Sequence, residues 1–402
     1  MNRRDFMATI VAVLPPNLRE RPPIRTSLPG SSPEPGIISD ASFPGENGGA
    51  NTTDFAAPAR TTMGVCVYSF PLQRPRSAMQ FLEYCYSLGA GGIQTELESL
   101  EPEYTKRLRQ RAEELGMYLE VIAALPKEDA AGFEHTVKAA KEAGAICLRA
   151  ACLDGRRYET FASLDEWKSF VDASRAKISR TLPLLEKHRM AMGIENHKDW
   201  TTDELVALMK EFSSEYFGVC MDTGNNIALL DDPMDLVERL APYAVTTHIK
   251  DMGAEEYSDG FLLSEVPLGE GMLEMKRIVG TIAKARPTAK FTLEMITRNP
   301  LKIPCLTEKY WRTFPDRSGQ SLARTLALVR AHQPRRPLER PEALDRPAQA
   351  KLEENNVKKC LAYAREQLGL APLDRAKNPS RRSWKLSPGP FRNNFEEMKL
   401  RF

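Results

Sequence analysis

The 402-residue sequence lacks several features that would place it in a familiar class. Its seven cysteines form no CxxC pair, and nothing in their spacing indicates a disulfide framework. No apolar run approaches the roughly 20 residues that a membrane-spanning helix requires. Lys and Arg (56) nearly balance Asp and Glu (54), so no positive surplus favours binding to nucleic acid or to an anionic membrane. These absences leave a small molecule as the expected partner.

The N-terminal segment has the pattern of an export signal. Arg3 and Arg4 lie in the motif NRRDFM, and a short apolar stretch follows before two prolines. This arrangement is typical of a twin-arginine signal, so we expect residues 1–14 to direct the chain to the periplasm. A cytoplasmic protein with a basic N-terminal tail is the alternative. Residues 15–60 are rich in Pro, Gly, Ser and Asn and predict a disordered linker.

Strand-like and helical segments alternate from residue 61 to residue 333. Apolar runs of strand length, such as TMGVCVYSF and GGIQTEL, are separated by amphipathic helical stretches. This alternation predicts an α/β fold, a (β/α)8 TIM barrel, with its last helix at about 318–332. Residues 252–271, which follow the seventh strand, exceed the length of one strand-helix unit. We expect this insertion to form a substrate-binding loop or lid on the catalytic face.

A C-terminal extension at 334–402 contains one predicted helix. Its apolar residues recur at helical spacing and form one narrow face: Val357, Cys360, Leu361, Ala364 and Leu368. We expect this face to dock on the barrel or on a neighbouring subunit. The second arrangement would make the protein a homo-oligomer.

Four strand-like segments each end in a residue that binds hard divalent metals: Glu195, Asp222, His248 and Glu294. They are 27, 26 and 46 residues apart, against the roughly 25 to 30 residues of one βα unit, so they lie on consecutive strands. The C-terminal ends of parallel barrel strands lie on one face, where the four side chains would converge. Each residue alone is more typical of a strand end or helix cap. Together they predict a metal site.

Five motifs occur in a characteristic order: GIENH, MDTGN, HIKD, PLGEG and LEM. In this order the chain from about residue 62 to 333 resembles the sugar phosphate isomerase/epimerase family, within the xylose isomerase-like TIM barrel superfamily. The resemblance implies that Glu195, Asp222, His248 and Glu294 hold one divalent ion. Manganese is the first expectation, with magnesium, cobalt or zinc as alternatives. Ketose epimerases of this family often have a histidine where this chain has Asn225.

The resemblance also implies a reaction. Metal binding to a carbonyl and a neighbouring hydroxyl favours loss of a proton from the carbon between them, giving an enediolate. Glu195 and Glu294 are the expected catalytic acid and base, on opposite faces of the substrate. Return of the proton on the other face makes the enzyme a sugar epimerase, and return to the adjacent carbon makes it an isomerase. Departure of a leaving group would instead make it a dehydratase or lyase on a keto-sugar or 3-oxo-glycoside.

Further polar residues near the predicted strand ends are candidates for binding the sugar substrate. They are His197, Lys250, Glu270, Arg149, Glu96 and Arg298. His197 and Lys250 each lie two residues beyond a predicted ligand, on the same strand face if the strand continues. For Arg149, Glu96 and Arg298 a structural ion pair is an equally good interpretation.

Two other classes of protein remain open. Class II AP endonucleases share this barrel, but they need extra histidine and glutamate ligands for a three-zinc cluster. The third and fourth predicted strands end in IAALP and LRAAC, which supply none. A non-catalytic sugar-binding barrel is the second alternative, since fold alone does not imply catalysis.

Overall fold

The computed structural model describes residues 59–128, 130–334 and 336–372. The predicted signal, nearly all of the predicted linker and the last thirty residues lie outside this range. Export to the periplasm therefore stays a prediction. Among the described residues, no helix is both long enough and apolar enough to cross a membrane.

Eleven strands occur in the described part of the chain. They are β1 (Gly64–Cys66), β2 (Gly92–Thr95), β3 (Tyr118–Ile122), β4 (Cys147–Ala150), β5 (Met192–Glu195), β6 (Phe217–Asp222), β7 (Ala244–Ile249), β8 (Asp251–Tyr257), β9 (Gly260–Val266), β10 (Thr292–Leu293) and β11 (Leu301–Ile303). β1 to β7 and β10 are parallel and close into an eight-stranded barrel, with β10 between β7 and β1. The predicted TIM barrel is confirmed.

The described part of the chain also contains eleven α-helices. They are α1 (Ala78–Ser87), α2 (Pro102–Leu115), α3 (Ala131–Glu142), α4 (Arg157–Thr160), α5 (Leu164–His188), α6 (Thr202–Glu211), α7 (Pro233–Leu240), α8 (Met275–Ala285), α9 (Glu308–Trp311), α10 (Gly319–Ala331) and α11 (Arg346–Gln367). Local sequence sets several of their ends. Ser163 caps α5, and Thr201 and Glu204 form a reciprocal capping box at α6. Gly116 adopts the left-handed conformation that ends α2.

The surplus predicted as a loop at 252–271 is largely a β-hairpin. β8 and β9 pair antiparallel, and β11 joins the other edge of β9. Phe261 and Leu263 of β9 are buried in a second hydrophobic cluster that includes Ile303 of β11 and Val329 of α10. The sequence predicted α10 as the eighth helix around the barrel. This prediction is wrong, because α10 packs on the small sheet instead.

Helix α11 takes the eighth position. Tyr84 of α1 donates a hydrogen bond to Glu354 at 2.7 Å, and Lys276 of α8 donates one to Gln367 at 3.1 Å. The apolar face of α11, including Val357 and Leu361, is buried in the same core as the barrel strands. The face therefore docks on its own barrel.

Candidate metal and active site

Four buried side chains meet at the C-terminal end of the barrel. Glu195 ends β5, Asp222 ends β6, His248 is near the end of β7, and Glu294 directly follows β10. One ligand atom from each lies within 4.8 Å of all the others. His248 Nδ1 is 3.3 Å from Glu195 Oε1, 3.4 Å from Glu294 Oε1 and 3.9 Å from Asp222 Oδ2. The structure thus brings the four predicted ligands together.

The charged groups of this cluster shift one another's pKa values. Burial raises the pKa of Asp222, opposed by Lys250, and the nearby Glu294 and Glu195 raise it further. Burial would also raise the pKa of Glu294, but Lys250 and His248 lower it to about 2. Three carboxylates packed at this distance need a cation between or beside them, because their mutual repulsion is large in a buried site.

The donor set fits a hard or borderline divalent cation. Three carboxylates and one imidazole are the ligands that Mg²⁺, Mn²⁺ and similar ions accept, and buried polar atoms normally have a partner. His248 Nδ1 is buried and faces the carboxylates, yet it has no hydrogen-bond partner within the described part of the chain. Burial lowers the pKa of His248, but the surrounding acidic groups raise it well above its ordinary value. A divalent ion would take the place of that proton.

A chain of hydrogen bonds fixes the orientation of His248. Glu120 on β3 accepts hydrogen bonds from Thr246 Oγ1 at 2.7 Å, Thr292 Oγ1 at 3.1 Å and Gln94 Nε2 at 2.9 Å. Because Gln94 gives its amide N–H to Glu120, its carbonyl Oε1 faces His248 Nε2 at 2.6 Å. Nε2 therefore carries a proton, and Nδ1 is left for the cluster.

Glu195 is held from two sides. Arg149 on β4 donates from Nε at 2.6 Å and also from Nη2 to Glu195 Oε2. Asn225 Nδ2 donates to Glu195 Oε1 at 3.1 Å. Burial would raise the pKa of Glu195, but Arg149 and His248 hold it well below its ordinary value. This carboxylate is therefore ionised and fixed in one orientation.

Lys250 contacts the two carboxylates of the cluster that Arg149 does not contact. It is fully buried, donates a short hydrogen bond to Glu294 Oε2, and its Nζ is 2.8 Å from Asp222 Oδ2. Its next acidic neighbour is Glu265 of the hairpin, with Nζ 3.7 Å from Oε1. Glu265 also pairs with Arg298, whose Nη2 is 2.8 Å away. The hairpin thus contributes an acidic group beside the cluster.

The remaining candidates from the sequence lie in different surroundings. His197 is partly buried, and its Nδ1 is 2.9 Å from the carbonyl oxygen of Leu153. Burial lowers the pKa of His197 to about 4, so the ring is neutral at pH 7. The two acidic candidates from the sequence, Glu96 and Glu270, are more exposed. Glu96 pairs with Arg74 at 2.9 Å, and Glu270 pairs with Lys359 of α11 at 3.2 Å. Both carboxylates therefore form surface ion pairs outside the four-residue cluster.

Sequence reasoning missed four residues that the structure places in or beside the site: Gln94, Glu120, Lys198 and Glu265. Glu120 had a usable signal, because a charged residue in the middle of the apolar strand YLEVI must be buried with partners. Gln94 had a weaker one, as a polar residue inside β2. Lys198 and Glu265 gave none, since Lys198 follows the strand in a loop and Glu265 belongs to an unpredicted hairpin.

The sequence and fold match known proteins. The model of the xylose isomerase-like TIM barrel family matches residues 82–317. The chain is 28% identical over 232 residues to a 3-oxo-isoapionate decarboxylase of Pectobacterium atrosepticum, covering 55% of this chain and 80% of that protein. It is 30% identical over 111 residues to an uncharacterized Escherichia coli protein, covering 27% and 33% of the two chains.

A solved structure of a xylose isomerase-like TIM barrel protein from Mycobacterium smegmatis in complex with magnesium is 16% identical to this chain. It superposes with a TM-score of 0.46, covering 66% of this chain and 98% of that one. The family model spans more than half of the 402 residues, and the closed parallel barrel agrees with it. The chain belongs to the xylose isomerase-like TIM barrel family.

Proposed function

We propose that the protein is a divalent-metal-dependent sugar isomerase or epimerase that removes a proton next to a carbonyl group. The observation that carries this proposal is the convergence of Glu195, Asp222, His248 and Glu294 within 4.8 Å at the catalytic face of the barrel. The family match supports an enzyme of this kind. A metal ion held by these four residues would polarise the carbonyl oxygen of the sugar.

Glu294 is the better base of the two catalytic candidates. It is ionised at neutral pH, and it is bonded to the ammonium group of Lys250. That ammonium group stabilises the charge on Glu294 and orients its carboxylate. Burial lowers the pKa of Lys250, but Asp222 and Glu294 raise it well above its ordinary value, so Lys250 keeps its proton. Glu195 accepts hydrogen bonds at both oxygens, from the guanidinium of Arg149 and from Asn225, which makes its carboxylate the weaker base.

The two carboxylates therefore have different expected roles. Glu294 removes the proton from the carbon beside the carbonyl, and the electron pair of the broken C–H bond forms the enediolate. Glu195, oriented by Arg149, serves the opposite face, where it passes a proton from solvent to the same carbon and gives the epimer, while Glu294 releases the proton it removed to solvent. Return of the proton to the former carbonyl carbon gives the isomer. The enediolate is common to both outcomes.

Glutamine substitutions test these roles. Glu294→Gln and Glu195→Gln each keep an oxygen donor but lose a basic carboxylate, so turnover should fall by about 10² to 10⁴ while some metal is retained. The measurement is deuterium incorporation from D₂O into a panel of ketoses and 3-oxo-glycosides, with bound metal assayed separately. Glu294→Gln should abolish exchange, whereas Glu195→Gln should keep part of it.

Glu113→Gln is the matched control, because Glu113 is an exposed acid of α2 that pairs only with Arg109 at 2.8 Å among the contacts described. It should behave as the wild type. Wild-type rates in both active-site variants would contradict the proposal and direct attention to His197 or Lys250. Absence of both deuterium exchange and CO₂ release with every substrate, by metal-containing wild type, would favour a non-catalytic sugar-binding barrel.

A lyase is the second candidate, and the similarity to a protein named a 3-oxo-isoapionate decarboxylase favours it. In a decarboxylation the C–C bond to the carboxylate breaks, its electron pair forms the enolate, and CO₂ leaves. A proton then adds to the same carbon. This reaction needs the same carbonyl polarisation, but no base to remove a proton. Release of CO₂ from a 3-oxo acid, without exchange of deuterium into the remaining substrate, would identify it.

A further inference from the structure

Lys198 is a buried cation that has no acidic partner among the residues that the structure describes. The residue is 3% exposed, and its backbone adopts φ 61°, a left-handed conformation that is unusual for lysine. Its ammonium group donates a short hydrogen bond to Asn225 Oδ1. Within the described residues no carboxylate oxygen lies within 4.0 Å of it. A buried charge left this way normally has a function or a missing partner.

Two further cations lie near Lys198. Its pKa is lowered to about 8 by burial and by the positive charges of Lys250 and Arg298, with Glu265 and Asp222 opposing. Arg298 uses Nη2 to bind Glu265, while its buried Nε has no partner in the described structure. Lys198 and Arg298 therefore both have hydrogen-bond donors that a ligand could use.

The charge balance points the same way. Five buried carboxylates in this region face four cationic side chains, which are Glu120, Glu195, Asp222, Glu265 and Glu294 against Arg149, Lys198, Lys250 and Arg298. A divalent ion among the carboxylates would leave a surplus of one positive charge. A neutral sugar would not compensate this surplus, whereas an anionic substrate would.

Asn225 connects this cationic side to the predicted ligands. Its Oδ1 accepts from Lys198 and, at 3.4 Å, from Lys250, and its Nδ2 donates to Glu195 Oε1 at 3.1 Å. An amide oxygen has two acceptor positions, whereas a neutral imidazole has one. The asparagine that stands where related ketose epimerases often have histidine is therefore suited to orient two lysines at once.

We propose that the substrate is a sugar-derived keto acid whose carboxylate binds Lys198 and Arg298, while its carbonyl end lies at the metal site. This inference rests on the proposed function for the position of the carbonyl. It goes beyond it by naming the substrate class. Charge-assisted hydrogen bonds from two buried donors would provide both affinity and selection against neutral sugars.

Matched pairs of ligands test the proposal. D-fructose and 2-keto-D-gluconate differ only at C1, and L-sorbose and 5-keto-D-gluconate differ only at the opposite end of the chain. Calorimetric titration of the full-length, Mg²⁺-loaded protein should show at least one keto acid binding about tenfold or more tightly than its neutral counterpart. Equal affinities within both pairs, or no binding of either keto acid, would overturn the proposal.

Variants locate the carboxylate. Lys198→Met should weaken binding of the preferred keto acid about tenfold or more and leave the neutral ketose within about twofold. Asparagine adopts the left-handed backbone conformation readily, so Lys198→Asn should weaken keto acid binding to the same extent. This second variant keeps the test valid if the methionine variant folds poorly. Lys210→Met, at an exposed position of α6, is the matched control. Equal weakening of acid and neutral ligand would show a purely structural role.

The proposed function and the keto acid proposal fail in different ways. Calorimetric titration with MgCl₂ alone tests the metal site, and deuterium exchange tests the chemistry. A protein that binds Mg²⁺ and exchanges deuterium into neutral ketoses without preferring keto acids contradicts only the substrate class. A protein that prefers keto acids but binds no divalent metal contradicts the proposed function and the placement of the carbonyl, while the carboxylate contact with Lys198 and Arg298 stands.

Discussion

The two halves of the barrel contribute differently to the site. The half formed by β5, β6, β7 and β10 carries the four candidate ligands at its strand ends. The half formed by β2, β3 and β4 carries the supporting residues: Gln94 binds His248, Arg149 binds Glu195, and Glu120 binds Gln94. One half thus provides the chemistry and the other fixes its geometry. Residues of the second kind need not stand at strand ends.

The supporting half works through hydrogen bonds of defined direction. Glu120 has only acceptor oxygens when ionised, so all three of its partners must donate to it. This requirement sets the amide orientation of Gln94 and, through it, the tautomer of His248. Loss of the supporting residues should therefore weaken metal binding without removing any ligand.

The largest effect should follow a change in the ligand half. Asp222→Ala and His248→Ala each remove one of four donors and should lower affinity for Mn²⁺ or Mg²⁺ by more than about 100-fold. Calorimetry on the metal-free protein measures this change, and circular dichroism checks the fold. Near wild-type affinity in both variants would mean that the cluster does not hold the metal, and the contrast between the halves would fail.

A smaller effect should follow a change in the supporting half. Gln94→Leu removes the acceptor of His248 Nε2 and leaves all four ligands in place, so affinity should fall by about 10-fold to 100-fold. Gln110→Leu makes the same substitution on exposed α2 and should change nothing. If Gln94→Leu lost as much affinity as His248→Ala, the division into ligands and supports would be incorrect.

The smallest expected effect is a change of keto acid affinity with pH. It contrasts Lys198 of the ligand half with Arg149 of the supporting half. Arg149 stays charged at all accessible pH values, but the pKa of Lys198 is lowered to about 8. As pH rises through 8, Lys198 loses its proton, and affinity for the preferred keto acid should fall by about tenfold. Titrations at pH 7 and pH 9 measure this. In Lys198→Arg the loss should disappear, and an identical loss in that variant would show that another group titrates.

The predictable part of the site came from strand ends. Apolar segments that finish in Glu195, Asp222, His248 and Glu294 are spaced by units of one strand and one helix, and a parallel barrel must bring such ends together. The spacing also located the inserted residues after His248, but it did not predict their structure. The strands β8 and β9 of this insertion were predicted as a loop because they follow β7 with almost no connection.

The helix order was less predictable. Amphipathic periodicity located α10 and α11 but could not show which of them packs against the barrel. Both have apolar faces. Only the formation of the β8–β9–β11 sheet creates a separate surface for α10, and this leaves the place between α8 and α1 to α11.

By itself, the sequence determined the barrel and the four side chains that converge in it. Hydrophobic periodicity and regular spacing can be read from the chain locally, and parallel strands of a barrel bring their C-terminal ends to one face. The tertiary structure alone decided what surrounds those side chains. Gln94, Glu120 and Lys198 reach the site from separate parts of the chain, up to 104 residues apart. Their partners depend on side-chain direction and burial, which arise only when the barrel closes.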